Sequence, residues 1–120
     1  MPRKGYVWVM APPTFTKDEK DKIYMELKEF IDGSLTLKSR VQSFAIRKNF
    51  LYLYEHLIPE KIEYEGEYIR WNYARITFVD KNRNCTADWQ RHNEKWIEFH
   101  KGTFVECLQY IDEGKGFFGR

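Results

Sequence analysis

Apolar residues recur at Ile23, Leu27, Phe30 and Ile31, at steps of four, three and one, and so trace one stripe along a helix flanked by Lys17, Lys20, Lys28 and Glu29. Thr16 and Glu19 stand at capping-box spacing just before it, where hydroxyl and carboxylate can each take the other residue's amide hydrogen. The pattern predicts a helix from about 17 to 32, with Gly33 supplying a left-handed stop. Upstream, "GYVWVMAPPTF" alternates Tyr6, Trp8 and Met10 against Val7 and Val9, which predicts a short strand or extended arm ended by Pro12 and Pro13. Downstream, "SLTLKSR" carries only polar turn chemistry, and the period then changes from helical to alternating.

"VQSFAIRKNFLYLYEHL" reads as two strands joined at Lys48-Asn49. "IPEKIEYEGEYIRW" has Pro59, Gly66 and four glutamates without clean periodicity, and is read as an irregular, solvated connection. "NYARITFV" alternates Ala74, Ile76 and Phe78 against Tyr73, Arg75, Thr77 and Val79. "DKNRN" is a polar turn, and two more strands flank His92-Asn93-Glu94. A second capping box, Thr103 with Glu106, opens a helix with the stripe Phe104, Cys107, Leu108 and Ile111, stopped by Gly114. The expected fold is therefore α+β: an N-terminal helix, an antiparallel meander of about five strands, and a C-terminal helix packed on the sheet.

Length changes this picture little: 120 residues make one domain, divided into an arm over 1–15, a core over 16–113 and a Gly/Phe tail over 114–120 that docks Phe117 and Phe118. The aromatic share of 18% is high, so aromatics are expected to supply much of the core. A balance of 20 basic against 18 acidic residues gives no overall field to draw the chain to nucleic acid or an anionic membrane. No run approaches the length of a membrane span or a signal peptide, so no membrane partner and a cytoplasmic location are expected. Cys85 and Cys107 are too few and too far apart for a disulfide framework or zinc site, and are read as buried, reduced thiols.

The capped first helix, the hairpin, "ARITFV", "DWQRHNEKWIEF" and the closing "GFFG" together resemble an uncharacterised bacterial family, a domain of unknown function. Its members run from a similar helix into an "ARFRYV"-like strand, a "W-x-x-Y-W-x-R…K-W-H-x-Y" hairpin and a closing "C-F-F-G". The likeness covers most of the chain after about Thr16 and maps onto Ala74 to Val79, Trp89, Arg91, Lys95, Trp96, Phe99 and Phe117 to Gly119. Cys85 stands where that motif has its first tryptophan, and Asp88, Ile97 and Phe99 where it has tyrosine and histidine. The resemblance implies a fold and no activity, substrate or cofactor.

Chemistry is thinly signalled. His56, His92 and His100 never fall at metal-ligand spacing, and a site joining His92, His100 and Asp88 across the hairpin loses to the reading of solvated histidines; no metal and no cofactor are expected. Asp88 and Glu98 could approach across the hairpin as a carboxylate pair, against which stands simple solvation. A three-residue turn at His92-Asn93-Glu94 pairs Gln90 with Trp96 and Trp89 with Ile97. It buries Ala87, Trp89, Ile97 and Phe99 and leaves Asp88, Gln90, Trp96, Glu98 and His100 together on the other face. A two-residue turn, favoured by the resemblance, would set Glu98 opposite a core tryptophan; the first register is preferred.

The function expected is non-catalytic binding of a protein partner or of a second copy, with no catalytic residue assigned. Arg75, Asp88, Gln90, Arg91, Trp96, Glu98 and His100 are the candidate binding residues, and Tyr6, Trp8, Phe117 and Phe118 the candidate interface. Two alternatives stand beside it. One is a small-molecule or enzymatic site on the polar sheet face. The other is a single-strand nucleic-acid platform in which Arg70, Arg75, Arg91, Lys95 and Lys101 interleave with Trp71, Tyr73 and Trp96.

Overall fold

A computed structural model of the chain describes residues 12–57, 69–90 and 95–114. The arm with Tyr6 and Trp8, most of the acidic connection, Arg91 with the turn at His92 to Glu94, and Phe117 and Phe118 lie outside the described residues.

Helix α1 spans Lys17–Asp32 and is opened by the capping box: the Glu19 amide donates to the Thr16 hydroxyl at 3.2 Å and the Thr16 amide to the Glu19 carboxylate at 2.9 Å. These bonds hold the Glu19 carboxyl below its ordinary range, with Lys81 adding to the effect. Ile23, Leu27 and Ile31 are buried. Gly33 departs from expectation. It keeps a right-handed φ of −87° because the chain does not reverse there. Instead Ser34 caps a second helix, α2 (Leu35–Arg40), its hydroxyl accepting from the Leu37 amide at 3.0 Å. This helix replaces the polar turn read from "SLTLKSR"; at six residues it is too short to write a periodic stripe, and only Leu37 is buried. The Ser34 hydroxyl also donates to Asp112, which ties the start of α2 to the far end of the C-terminal helix.

Five strands follow: β1 (Ser43–Arg47), β2 (Phe50–Leu57), β3 (Ile69–Phe78), β4 (Asn84–Gln90) and β5 (Trp96–Thr103). They pair antiparallel in chain order. Lys48 takes a φ of 57° in the two-residue turn between β1 and β2. Asn49 then exchanges bonds with the end of β3, donating from its side chain to the Phe78 carbonyl and accepting the Phe78 amide on its own. Strand β3 begins earlier than the alternation predicted: Ile69 to Trp71 pair with Leu57 to Glu55, so this part of the supposed irregular connection belongs to the sheet.

The last helix, α3 (Phe104–Asp112), starts from the Thr103–Glu106 capping box and is followed by Gly114 at a left-handed φ of 68°. At Gly102 a β-carbon would stand 3.0 Å from the Glu106 carboxylate, so a residue without a side chain is what allows the box to close against β5.

One apolar cluster joins all three helices to alternate residues of the sheet: Ile23, Leu27, Leu37, Phe104, Leu108 and Ile111 meet Leu51, Leu53, Ala74, Ile76, Phe78 and Ala87. The helices therefore cover one face, and no described helix covers the other. Among the described residues the fully buried core is mostly aliphatic, with Tyr73, Phe78 and Phe104 as its buried rings, while the half-buried Phe15, Tyr24, Phe30, Phe44, Trp89 and Tyr110 pack against it. Ile97, expected in the core, is only half-buried, because β5 is an edge strand and packs on one side alone. No described helix is long and apolar enough to cross a membrane.

Replacing the fully enclosed Leu53 by alanine should cost about 2–5 kcal/mol in urea denaturation. Leu35→Ala, at a side chain 92% exposed, should change stability by less than about 0.5 kcal/mol.

Candidate recognition surface on the open sheet face

Side chains alternate across a strand, and residues opposite one another in neighbouring strands share a face. The register sets Tyr52 opposite Arg75, Arg75 opposite Asp88 and Asp88 opposite Glu98, a row that crosses four strands on the side away from the helices. Phe50 and Tyr54 flank Tyr52 along β2, Thr77 follows Arg75, Thr86 and Gln90 bracket Asp88, and Trp96 pairs with Gln90.

Asp88 is only 2% exposed although it lies on the uncovered face. A buried carboxylate must be matched by donors, and this one has three: Arg75 Nε at 2.9 Å, the Thr77 hydroxyl at 2.5 Å and the Thr86 hydroxyl at 2.8 Å. Arg75 is itself held between two rings, its guanidinium carbon 4.4 Å from the Phe50 centroid and 4.5 Å from that of Trp96. Trp96 lies edge-on to Tyr52 at 5.9 Å, and Tyr52 is 6.1 Å from both Phe50 and Tyr54. The aromatic rings and the ion pair thus form one continuous patch. Asn72 closes its border by donating to Gln90 at 2.7 Å, and Ser43 and His56 share a hydrogen bond of 2.8 Å at the β1–β2 side.

The expected pairs Gln90–Trp96 and Trp89–Ile97 are present. His100, however, is not on this face. A bulge between Ala87 and Asp88 leaves Phe99 as the extra residue, sets Ala87 opposite His100, and turns the imidazole to the helix side, where it stacks on Tyr110 at 4.5 Å. With His100 and Asp88 on opposite faces, the metal grouping considered from sequence is not assembled, and no cluster of three metal-binding side chains occurs among the described residues. Asp88 and Glu98 are opposite one another, yet each has its own cation: Asp88 is bound to Arg75, while Glu98 is 47% exposed with Lys101 at 3.9 Å.

Arg75, Asp88, Gln90, Trp96 and Glu98 are therefore brought together, and Arg91 lies outside the described residues. Sequence reading missed Phe50, Tyr52, Tyr54, Thr77 and Thr86. The signal was present in "FLYLY", whose alternation sets three rings on one side of a strand.

Cys85 and Cys107 are free, buried thiols on the helix side. Burial pushes the Cys107 thiol up to about 12, and raises that of Cys85 further. Two clefts among the described residues are lined by none of the rings of the patch. One, of about 190 Å³, is lined by Phe15, Glu19, Lys22, Ile23, Lys81 and Arg83; another, of about 250 Å³, by Val79, Asn84, Cys85, Thr86, Lys101 and Gly102.

A five-stranded antiparallel meander with helices on one side and an aromatic, arginine-bearing face on the other defines an α+β domain with an open sheet. The chain belongs to the family described as Domain of unknown function (DUF3024), whose model matches residues 13–119. No curated protein and no solved structure matches the chain.

Removing one partner from a desolvated pair strands the other. Arg75→Ala should therefore cost about 3–5 kcal/mol in denaturant unfolding, and the double variant Arg75→Ala/Asp88→Ala should cost less than the sum of the two single changes. The raised thiols predict that neither cysteine in the folded chain is alkylated by iodoacetamide near neutral pH, while both react in urea, as mass spectrometry would count.

Proposed function

We propose that this domain works by non-catalytic binding and that the open sheet face is the surface a protein partner covers. The observation that carries the reading is the continuous patch of Phe50, Tyr52, Tyr54 and Trp96 around Arg75, on a face that no described helix covers. Aromatic rings and arginine are the residues that anchor protein interfaces, because they bury large areas at little cost in side-chain freedom. The alternatives are less well supported. Asp88 is saturated by three donors and is poorly placed to take a proton from a substrate. A single-stranded nucleic acid would stack on these rings, but its phosphates need unmatched cations. Among the described residues of this face Arg47, Arg75 and Lys101 stand against Asp88 and Glu98, which leaves little unmatched positive charge. The free buried thiols support a cytoplasmic setting.

Site-specific photo-crosslinking in living cells tests the reading. With p-benzoylphenylalanine in place of Tyr54, one discrete heavier adduct is expected, lost when Trp96→Ala is added. The same probe at Met25, 63% exposed on α1, should give none. Equal labelling from both positions, or none from Tyr54, overturns the proposal. An adduct of twice the chain's mass replaces the foreign partner by a second copy.

A further inference from the structure

Arginine carries five N–H donors on three nitrogens. At Arg75 only Nε is used inside the protein, on Asp88. Among the described residues neither Nη1 nor Nη2 meets an acceptor, and neither is fully enclosed, although the side chain as a whole is only 16% exposed. The orientation of this free edge is fixed from three directions. Phe50 and Trp96 hold the plane of the guanidinium, and the Nε bond sets its rotation within that plane. Tyr52, directly opposite Arg75 on β2, has a hydroxyl with no hydrogen bond among the described residues and adds a further donor to the same patch.

We infer that the outer edge of Arg75 is a receiving site for a carboxylate on an acidic side chain of the partner polypeptide, a conclusion that rests on the reading of this face as a protein-binding surface. A fork of two parallel N–H groups matches the two oxygens of a carboxylate, and a pre-held guanidinium loses little freedom on binding it. Charge selects among anions. Among the described residues of this face Arg47, Arg75 and Lys101 stand against Asp88 and Glu98, a surplus of one positive charge, so the patch has room for one negative charge but disfavours a dianionic phosphate or a run of phosphodiesters. The rings on either side fit apolar residues next to the acidic one.

The test is a titration of the full ¹⁵N-labelled chain at constant ionic strength, read at the Arg75 Nε–H and the Trp96 indole N–H. The blocked peptide acetyl-Leu-Glu-Leu-amide should move both signals saturably, and acetyl-Leu-Gln-Leu-amide should bind at least about tenfold more weakly. Arg75→Lys keeps a cation beside Asp88 but removes the fork, and should abolish the preference for the glutamate peptide. Should that variant not fold, the comparison of the two peptides on the unaltered chain still decides. Equal response of Trp96 to both peptides would remove the carboxylate site while leaving the face as a binding surface. No response to either peptide also overturns the inference, and the crosslink from Tyr54 then judges the face separately. Inorganic phosphate, or a single-stranded 20-mer, moving Arg75 as strongly as the glutamate peptide would overturn it as well.

Discussion

The carboxylate of Asp88, buried on the uncovered side of the sheet, is the constraint on which the arrangement of that face depends. A charge 2% exposed is tolerable only where donors converge on it, and here they come from two neighbouring strands: Arg75 and Thr77 on β3, Thr86 on β4 itself. A slip of one residue between β3 and β4 would carry Asp88 to the helix side, against the apolar cluster. The ion pair adds little net stability against a well-packed apolar substitute, yet it makes the wrong register expensive. The aromatic rings follow from it, because Arg75 pinned to Asp88 becomes the support on which Phe50 and Trp96 lie.

That division of the sheet puts the chain's aromatic residues to two uses. The covered face is filled mainly by Ile, Leu and Ala, whose shapes interdigitate between helices and sheet. Among the described residues the open face holds four rings that are neither enclosed nor scattered, and they pack through edges and through a cation. Composition alone could not distinguish rings that fill a core from rings that build a surface. The alternation within "FLYLY" could, once Leu51 and Leu53 were assigned to the core.

Local chemistry wrote the parts of the fold that sequence reading recovered. Both capping boxes are satisfied within three residues, α1 spans the predicted 17–32, and the Lys48-Asn49 turn closes a two-residue hairpin. Features that depend on distant residues were not legible. Helix α2 is shorter than two turns and is held by Ser34 reaching Asp112, 78 positions away. The bulges that put Tyr73 out of step with β2, and Phe99 out of step with β4, carry no glycine or proline to announce them. One such bulge suffices to move His100 from the face assigned to it by alternation to the other, whereas Trp96, Asp88 and Glu98, on the near side of the bulge, stay where alternation placed them.

An open aromatic face is costly for a free protein, since half-buried rings still order water and invite unwanted association. Here the cost is limited by how the rings are used. Trp96 reaches across Arg75 toward Tyr52, so much of its area is already buried against the chain's own side chains. What remains for a partner is the outer rim of the rings and the free edge of one guanidinium, a polar group that stays hydrated until it is met. Specificity on such a surface comes from the fixed fork and not from the rings, because apolar contact accepts many shapes while two parallel N–H donors accept few. The buried carboxylate that holds the register is then also what gives the face its selectivity, by fixing the direction in which Arg75 presents its unused donors.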